Sequence, residues 1–205
     1  MNHLRVVPEP QHRPARAAGA DDATFDLAPD PTTVVADLGT DTSAGLDPRT
    51  DPESLTLCAL MWSTDTAAAV RVTDALVPAD FSEPAYAELF SVIAELVTTG
   101  QPHDPASVAA VLHRAGGGQK DAPLRRALAD VVTADTTGSS AAVHYADIVL
   151  SQSYRRSFHI TGQRLIQAAE QGPEDELFDY MVELGTAQRA AWKRLNTFRA
   201  GGAHA

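Results

Sequence analysis

The sequence predicts an all-α protein: a small helical globular bundle followed by a long antiparallel helical hairpin. Three observations carry this. Apolar residues recur at helical spacing from about residue 51 onward. No stretch sustains the period-two alternation of a half-buried strand. The last third carries a heptad seam on either side of a Gly-Pro break.

Residues 1–50 are set apart by composition. Pro, Asp, Ala, Thr and Gly dominate, and no apolar pattern outlasts one turn. Such a segment buries too little surface to offset chain entropy, so a disordered tail is expected. Its charge is divided. Arg5, Arg13 and Arg16 give a weakly basic start, and Asp21, Asp22, Asp26, Asp30, Asp37, Asp41 and Asp47 make the remainder acidic. It reads as a solvated tail, with a docking segment as the sharper alternative.

The globular part is assigned to residues 51–138. Asp51-Pro52-Glu53 opens its first helix with a capping acid, a first-turn proline and a second acid suited to the helix dipole. Leu55, Cys58, Ala59, Met61 and Trp62 follow. A second helix is expected over Thr64–Leu76. The third lies in FSEPAYAELFSVIAELVTT, where Tyr86, Leu89, Phe90, Ile93, Leu96 and Val97 form one apolar face and Gly100 stops it. Asp104-Pro105 starts a fourth with Val108, Val111 and Leu112, ending before Gly116. Residues 122–134 form a fifth with Leu124, Leu128, Val131 and Val132.

The hairpin is assigned to residues 139–198, with a disordered tail at 199–205. From about Ser139 to Gln171 the pattern stays helical without proline, roughly 50 Å at ~1.5 Å per residue. Gly172-Pro173 breaks it. A second helix is expected from about Glu174 to Phe198, acids first and bases last. Leu177, Met181, Leu184, Gln188, Ala191, Leu195 and Phe198 alternate steps of four and three. Leu150, Tyr154, Phe158, Leu165 and Ala169 are the opposing set. Two helices alone cover only part of such a surface, so self-association is expected through Tyr154, Phe158, Leu165, Leu177, Met181 and Leu184.

The chemistry-bearing residues form no organised constellation. The 205-residue chain has a formal charge of −11, which repels a phosphate backbone and disfavours direct DNA binding. Cys58 is its one cysteine, expected to be a buried thiol, so neither an intramolecular disulfide nor a cysteine-based zinc site follows. AGGGQKD at 115–121 lacks the G-x-x-x-x-G-K-[ST] order of a phosphate loop and reads as a flexible loop. His3, His12, His103, His113, His144, His159 and His204 show no i, i+4 metal spacing. No frame organises a Ser-His-Asp set. No catalytic, cofactor-binding or metal residue is assigned, and a small hydrolase is the weakest reading. Arg155-Arg156 and Arg189, Lys193 and Arg194 read as solvated helix faces, with an acidic partner or nucleic acid as the alternative. No apolar run approaches the ~20 residues of a membrane span, and the start lacks a signal-peptide core, so a cytoplasmic location is expected.

Several stretches, in order, resemble the N-terminal domain of DnaB-type hexameric replicative DNA helicases. DPESLTLCALMW is similar to that domain's first helix. LVPADFSEPAYAELFSVIAELVTTGQPHDPASVAAVLHRAG resembles its central signature, through Asp80, Phe81, Tyr86, Leu89, Phe90, Gly100, Pro102 and Asp104. TADTTGSSAAVHYADIV resembles the family's loop and its Tyr-Ala-x-Ile-Val approach to the hairpin, at Tyr145, Ala146, Ile148 and Val149. The likeness covers about residues 51–198. GGGQKDAPLRRAL departs from the family's Gly-Gly-x-x-Tyr-Leu-type step, which bears on partner recognition.

The resemblance implies a six-helix globular part joined to a hairpin, with hairpins pairing into dimers and three dimers forming a collar that helps dock primase. The sequence to Ala205 contains no Walker motif, so the resemblance supports the collar role without the motor. The leading expectation is a non-catalytic, cofactor-free module of DNA replication. It is a homo-oligomer, as dimer or trimer of dimers, that contacts a helicase, primase or helicase loader. The alternatives are a separately encoded or truncated subunit of a replicative helicase, which co-assembles with an ATPase chain, and a helical regulator that binds DNA directly.

Overall fold

A computed structural model describes residues 47–116, 122–134 and 140–202. Before the hairpin these hold α1 (Pro52–Met61), α2 (Thr66–Ala75), a 3-10 turn (Pro78–Asp80), α3 (Pro84–Thr98), α4 (Pro105–Ala115) and α5 (Ala122–Val132). The hairpin is α6 (Ser140–Gln171) and α7 (Leu177–Gly202). The described residues contain no strand. The fold class is the expected one, all-α with a globular bundle and a helical hairpin. The expectations for residues 1–46, for the loop at 117–121 and for the loop at 135–139 lie outside the described residues.

Local chemistry sets the helix starts. The Asp51 carboxylate accepts from Glu53 N at 3.0 Å, and Asp65 accepts from Ala68 N at 3.0 Å. Asp104 accepts from Ala106 N and Ser107 N at 3.0 and 3.2 Å. Pro52, Pro84 and Pro105 stand in the first turns of α1, α3 and α4, where their missing N–H leaves no bond unmade. Asp65 as cap delays the start of α2 to Thr66, two residues after the expected one. Gly100 and Gly116 close α3 and α4 in the left-handed region, with φ of 66° and 73°.

The core forms around α1. Glu53 through Met61 is buried on every side, so this helix is central rather than amphipathic. It packs against α6, α3 and α5. Leu57, Leu60, Leu89, Phe90, Ile93, Val108 and Val131 meet Ala142, Ala146, Val149 and Leu150 of α6 in one continuous core. Phe81 and Phe90 stack with ring centroids 5.0 Å apart. The Cys58 thiol is buried as expected and donates to the Ala134 carbonyl at 2.9 Å. Trp62, read with this helix, caps it and faces solvent instead.

Two features differ from expectation. The described residues place five α-helices and a 3-10 turn ahead of the hairpin, against the six helices implied by the resemblance. Residues 199–202, assigned to a tail, continue α7 to Gly202, because Phe198 is buried in the core and Arg199 is tied to Asp147 at 2.6 Å. At the hairpin tip, Gly172 N donates to the Ala168 carbonyl at 2.7 Å. A Cβ on Gly172 would lie 2.7 Å from that oxygen, so only glycine fits the reversal. Residues after Pro173 turn before α7 begins at Leu177, three residues later than the expected start.

The Asp104 cap generates a pH prediction. Its bonds from the Ser107 hydroxyl and backbone hold the carboxyl below its usual value of 3.8. A depressed folded-state pKa contributes stability that is complete above the unfolded value and lost as pH falls through the folded one. Asp104→Asn keeps a capping oxygen and removes the charge. Its urea midpoint should lie below wild type by a constant amount near neutrality. The gap should begin to close as pH falls through about 4 and vanish once Asp104 is protonated in the folded protein as well.

Candidate interaction surface on the helical hairpin

Two buried carboxylates join the hairpin to the bundle. Asp80, 1% exposed, ends the 3-10 turn. Its Oδ2 accepts from Val77 N at 2.8 Å, which fixes the turn. Its Oδ1 accepts from Ser153 Oγ of α6 and Arg194 Nη2 of α7, both at 2.6 Å. Arg156 of α6 donates to the Asp80 carbonyl. Glu53, 3% exposed, accepts from Ser82 N at 2.8 Å and Ser82 Oγ at 2.7 Å, and its Oε1 lies 3.4 Å from Arg156. Both helices of the hairpin are thus gripped by acids from the bundle.

Further contacts fasten the base. Arg71 of α2 donates to the Phe198 carbonyl at 2.5 Å and lies 4.8 Å from the centroid of its ring. Arg199 pairs with Asp147 through two bonds, and this bonding raises the guanidinium pKa. Along the shaft, Gln188 occupies a seam position. It donates to the Ser157 carbonyl at 2.9 Å and Thr161 Oγ1 at 2.7 Å, and accepts from Ser157 Oγ at 2.9 Å. Asp147 opposite Arg199 and Ser157 opposite Gln188 establish the antiparallel register.

Beyond about Ser157 the hairpin leaves the main core. Ala168 and Leu184 are the buried apolar residues of this outer portion. Several large apolar side chains there face solvent: Phe158, Ile166 at 62% exposure, Phe178 at 68%, Met181 and Val182. Trp192 joins them farther down α7. Tyr154, Gln188, Arg189, Trp192 and Lys193 line an open cleft of about 440 Å³ between the two helices.

The six residues proposed for self-association divide accordingly. Phe158 and Met181 are exposed. Tyr154 is half-buried, with its ring edge-on to Phe158 at 5.0 Å. Leu165 and Leu177 are half-buried and Leu184 is buried, within the seam of one chain. Periodicity had no means of separating the inner seam from an outer stripe one residue away; Ile166, Phe178 and Val182 were missed for that reason, while Trp192, expected as a hairpin-core or dimer contact, is exposed. Ala169, placed in the opposing set, is exposed and Ala168 takes the inner position.

The signature residues serve the fold. Phe81, Tyr86, Leu89 and Phe90 are core, Asp80 is the joint, Gly100 and Asp104 are caps, and Tyr145 and Ile148 are half-buried on α6. Burial pushes the Tyr86 phenol and the Asp51 carboxyl above their usual values. Arg156 and Arg194, read as solvated, are instead held internally. The spacing of Ser153 and Arg156 on one face of α6 was the available clue. Among the described residues no group of three or more His, Cys, Asp or Glu could hold a metal ion. No described helix is long and apolar enough to cross a membrane.

Asp80→Ala removes the acceptor for three groups at once. It should lower stability by roughly 3 kcal/mol, because it leaves buried donors and a half-covered guanidinium unpaired. Urea unfolding would show this as a lower midpoint. Arg189→Ala, at an exposed site, should shift the same midpoint by no more than about 0.5 kcal/mol.

Comparison with known proteins agrees with this geometry. A family profile described as the DnaB-like helicase N terminal domain matches residues 47–151. The crystal structure of the N-terminal domain of DnaB helicase from Mycobacterium tuberculosis is 26% identical, with a TM-score of 0.52 over 72% of this chain and 99% of that one. No curated protein gives a match. Order of elements, signature residues and architecture converge: the chain belongs to the DnaB-like helicase N-terminal domain family.

Proposed function

We propose that this chain serves DNA replication as a non-catalytic oligomerisation and protein-interaction module. Copies associate through the outer portion of the hairpin, and the assembly contacts a replicative helicase, primase or helicase loader. The observation that carries this reading is the set of large apolar side chains left exposed on the hairpin: Phe158, Ile166, Phe178, Met181 and Val182. Large apolar side chains gathered on the outer portion of one hairpin are the kind of surface that marks a protein–protein contact. The location that goes with this role is the cytoplasm.

A second reading follows from the span of the structural match, which takes in 99% of a DnaB N-terminal domain. Here the chain is a subunit of a replicative helicase and co-assembles with an ATPase chain. Mixing the two purified proteins should then change the unwinding rate of the ATPase.

Light scattering at tens of micromolar should return a multiple of 21.7 kDa. Phe158→Asp with Met181→Asp should weaken association at least tenfold. Helical circular dichroism should stay unchanged, because both side chains are exposed in the single chain. A wild-type protein that is strictly monomeric at that concentration overturns the self-association reading.

A further inference from the structure

The cleft between the two hairpin helices sets two aromatic rings beside two cations. Tyr154 comes from α6, and Gln188, Arg189, Trp192 and Lys193 come from α7. Arg189, Trp192 and Lys193 stand at i, i+3 and i+4, so they share one side of their helix. All three are exposed. Tyr154 is held in place by Phe158, whose ring lies edge-on at 5.0 Å. The Gln188 amide nitrogen is already committed to the Ser157 carbonyl and Thr161 Oγ1. Recognition at this cleft therefore falls to the rings and the cations.

Neither helix neutralises these cations. No Asp or Glu stands three or four positions from Arg189 or Lys193 in α7, nor from exposed Arg155 beside Tyr154 in α6. No ion pair joins any of the three among the described residues. The ligand that fits is a short peptide with carboxylates on either side of an aromatic side chain, since the rings take up the aromatic and the cations pair the acids.

Outside the described residues, the sequence holds such a segment. Between Arg16 and Arg49 there is no Lys, Arg, His or Glu, but there are seven Asp. Four of them, Asp21, Asp22, Asp26 and Asp30, flank Phe25, the one Phe, Tyr or Trp ahead of Trp62. Residues 31–46 connect this segment to Asp47 and, fully extended, reach roughly 50 Å. The first helix starts at the level of the cleft: Glu53 lies 3.4 Å from Arg156, two residues along α6 from Tyr154. A tethered ligand has a high effective concentration, so a few exposed contacts suffice to hold it.

We propose that residues 21–30 dock in the hairpin cleft of their own chain, with Phe25 against Tyr154 and Trp192 and the flanking aspartates on Arg189 and Lys193. A docked segment covers the exposed indole and neutralises the cations. It thereby closes the cleft to acidic segments of other proteins until it is displaced. This inference goes beyond the proposed function and does not rest on association between copies.

Hydrogen exchange on the full-length chain, read at millisecond times, tests it. Amides of residues 21–30 should exchange at least threefold more slowly in wild type than in Arg189→Glu with Lys193→Glu. Phe25→Ala and about 0.5 M salt should each abolish the slowing, salt by screening exposed pairs. Adding Asp22→Lys with Asp26→Lys to the reversed cleft should restore it. Helical circular dichroism should stay constant throughout, because Arg189 and Lys193 are exposed. Equal exchange in wild type and the reversed cleft, or no recovery in the double reversal, overturns the docking. Slowing that grows with protein concentration assigns the segment to another copy and overturns the contact within one chain. A strictly monomeric wild type, which overturns self-association, leaves this docking standing.

Discussion

Two carboxylates inside an otherwise apolar interior govern this structure. Glu53 and Asp80 are nearly inaccessible, and burying such groups without partners carries a penalty of several kcal/mol each. The geometry supplies partners from three directions. Backbone donors of the 3-10 turn and of Ser82, hydroxyls of Ser82 and Ser153, and the guanidinium groups of Arg156 and Arg194 converge on them. Apolar packing alone would let α6 and α7 slide or rotate against the bundle. Directional bonds to two fixed acids permit one placement. Since both arginines keep about a third of their side-chain surface in water, their own desolvation is partial and the joint avoids the worst of that cost.

That joint divides the hairpin into parts with different physics. Its base belongs to the core, through Ala142, Ala146, Val149, Leu150, Leu195 and Phe198. Its outer portion is a two-helix seam with Ala168 and Leu184 buried and a polar Gln188 whose amide is satisfied on both sides. A satisfied polar residue in an apolar seam fixes register at some expense of stability, because any slip leaves it unpaired. The base thus aims the hairpin, Gln188 keeps its helices in step, and the outer face is presented as a rigid surface.

What could be read in the sequence follows from how local each signal is. The caps at Asp51 and Asp104, the stops at Gly100 and Gly116 and the break at Gly172-Pro173 depend on a few adjacent residues, and the helices lie where those residues predict within two or three positions. The joint was not legible. Glu53 in Asp-Pro-Glu has the same local look whether it serves a helix dipole in water or accepts from Ser82 in the interior. Arg194 is separated from Asp80 by 114 residues. The candidate surface was half legible. A heptad pattern identifies that a helix has a packing seam, but Met181 and Leu184 satisfy it equally. Only the approach of α6 decides that Leu184 is covered and Met181 is not.

The use of the basic residues bears on the function as much as the apolar ones do. Arg71, Arg156, Arg194 and Arg199 are committed to a carbonyl, two buried acids and Asp147. A guanidinium already bonded to protein acceptors is less free to turn toward a phosphate backbone, so these side chains add less to nucleic-acid affinity than unpaired ones would. The exposed cations of the hairpin, Arg155, Arg189 and Lys193, sit on a chain with net charge −11. The long-range field therefore repels DNA, while three local charges beside aromatic groups suit an acidic protein surface at short range.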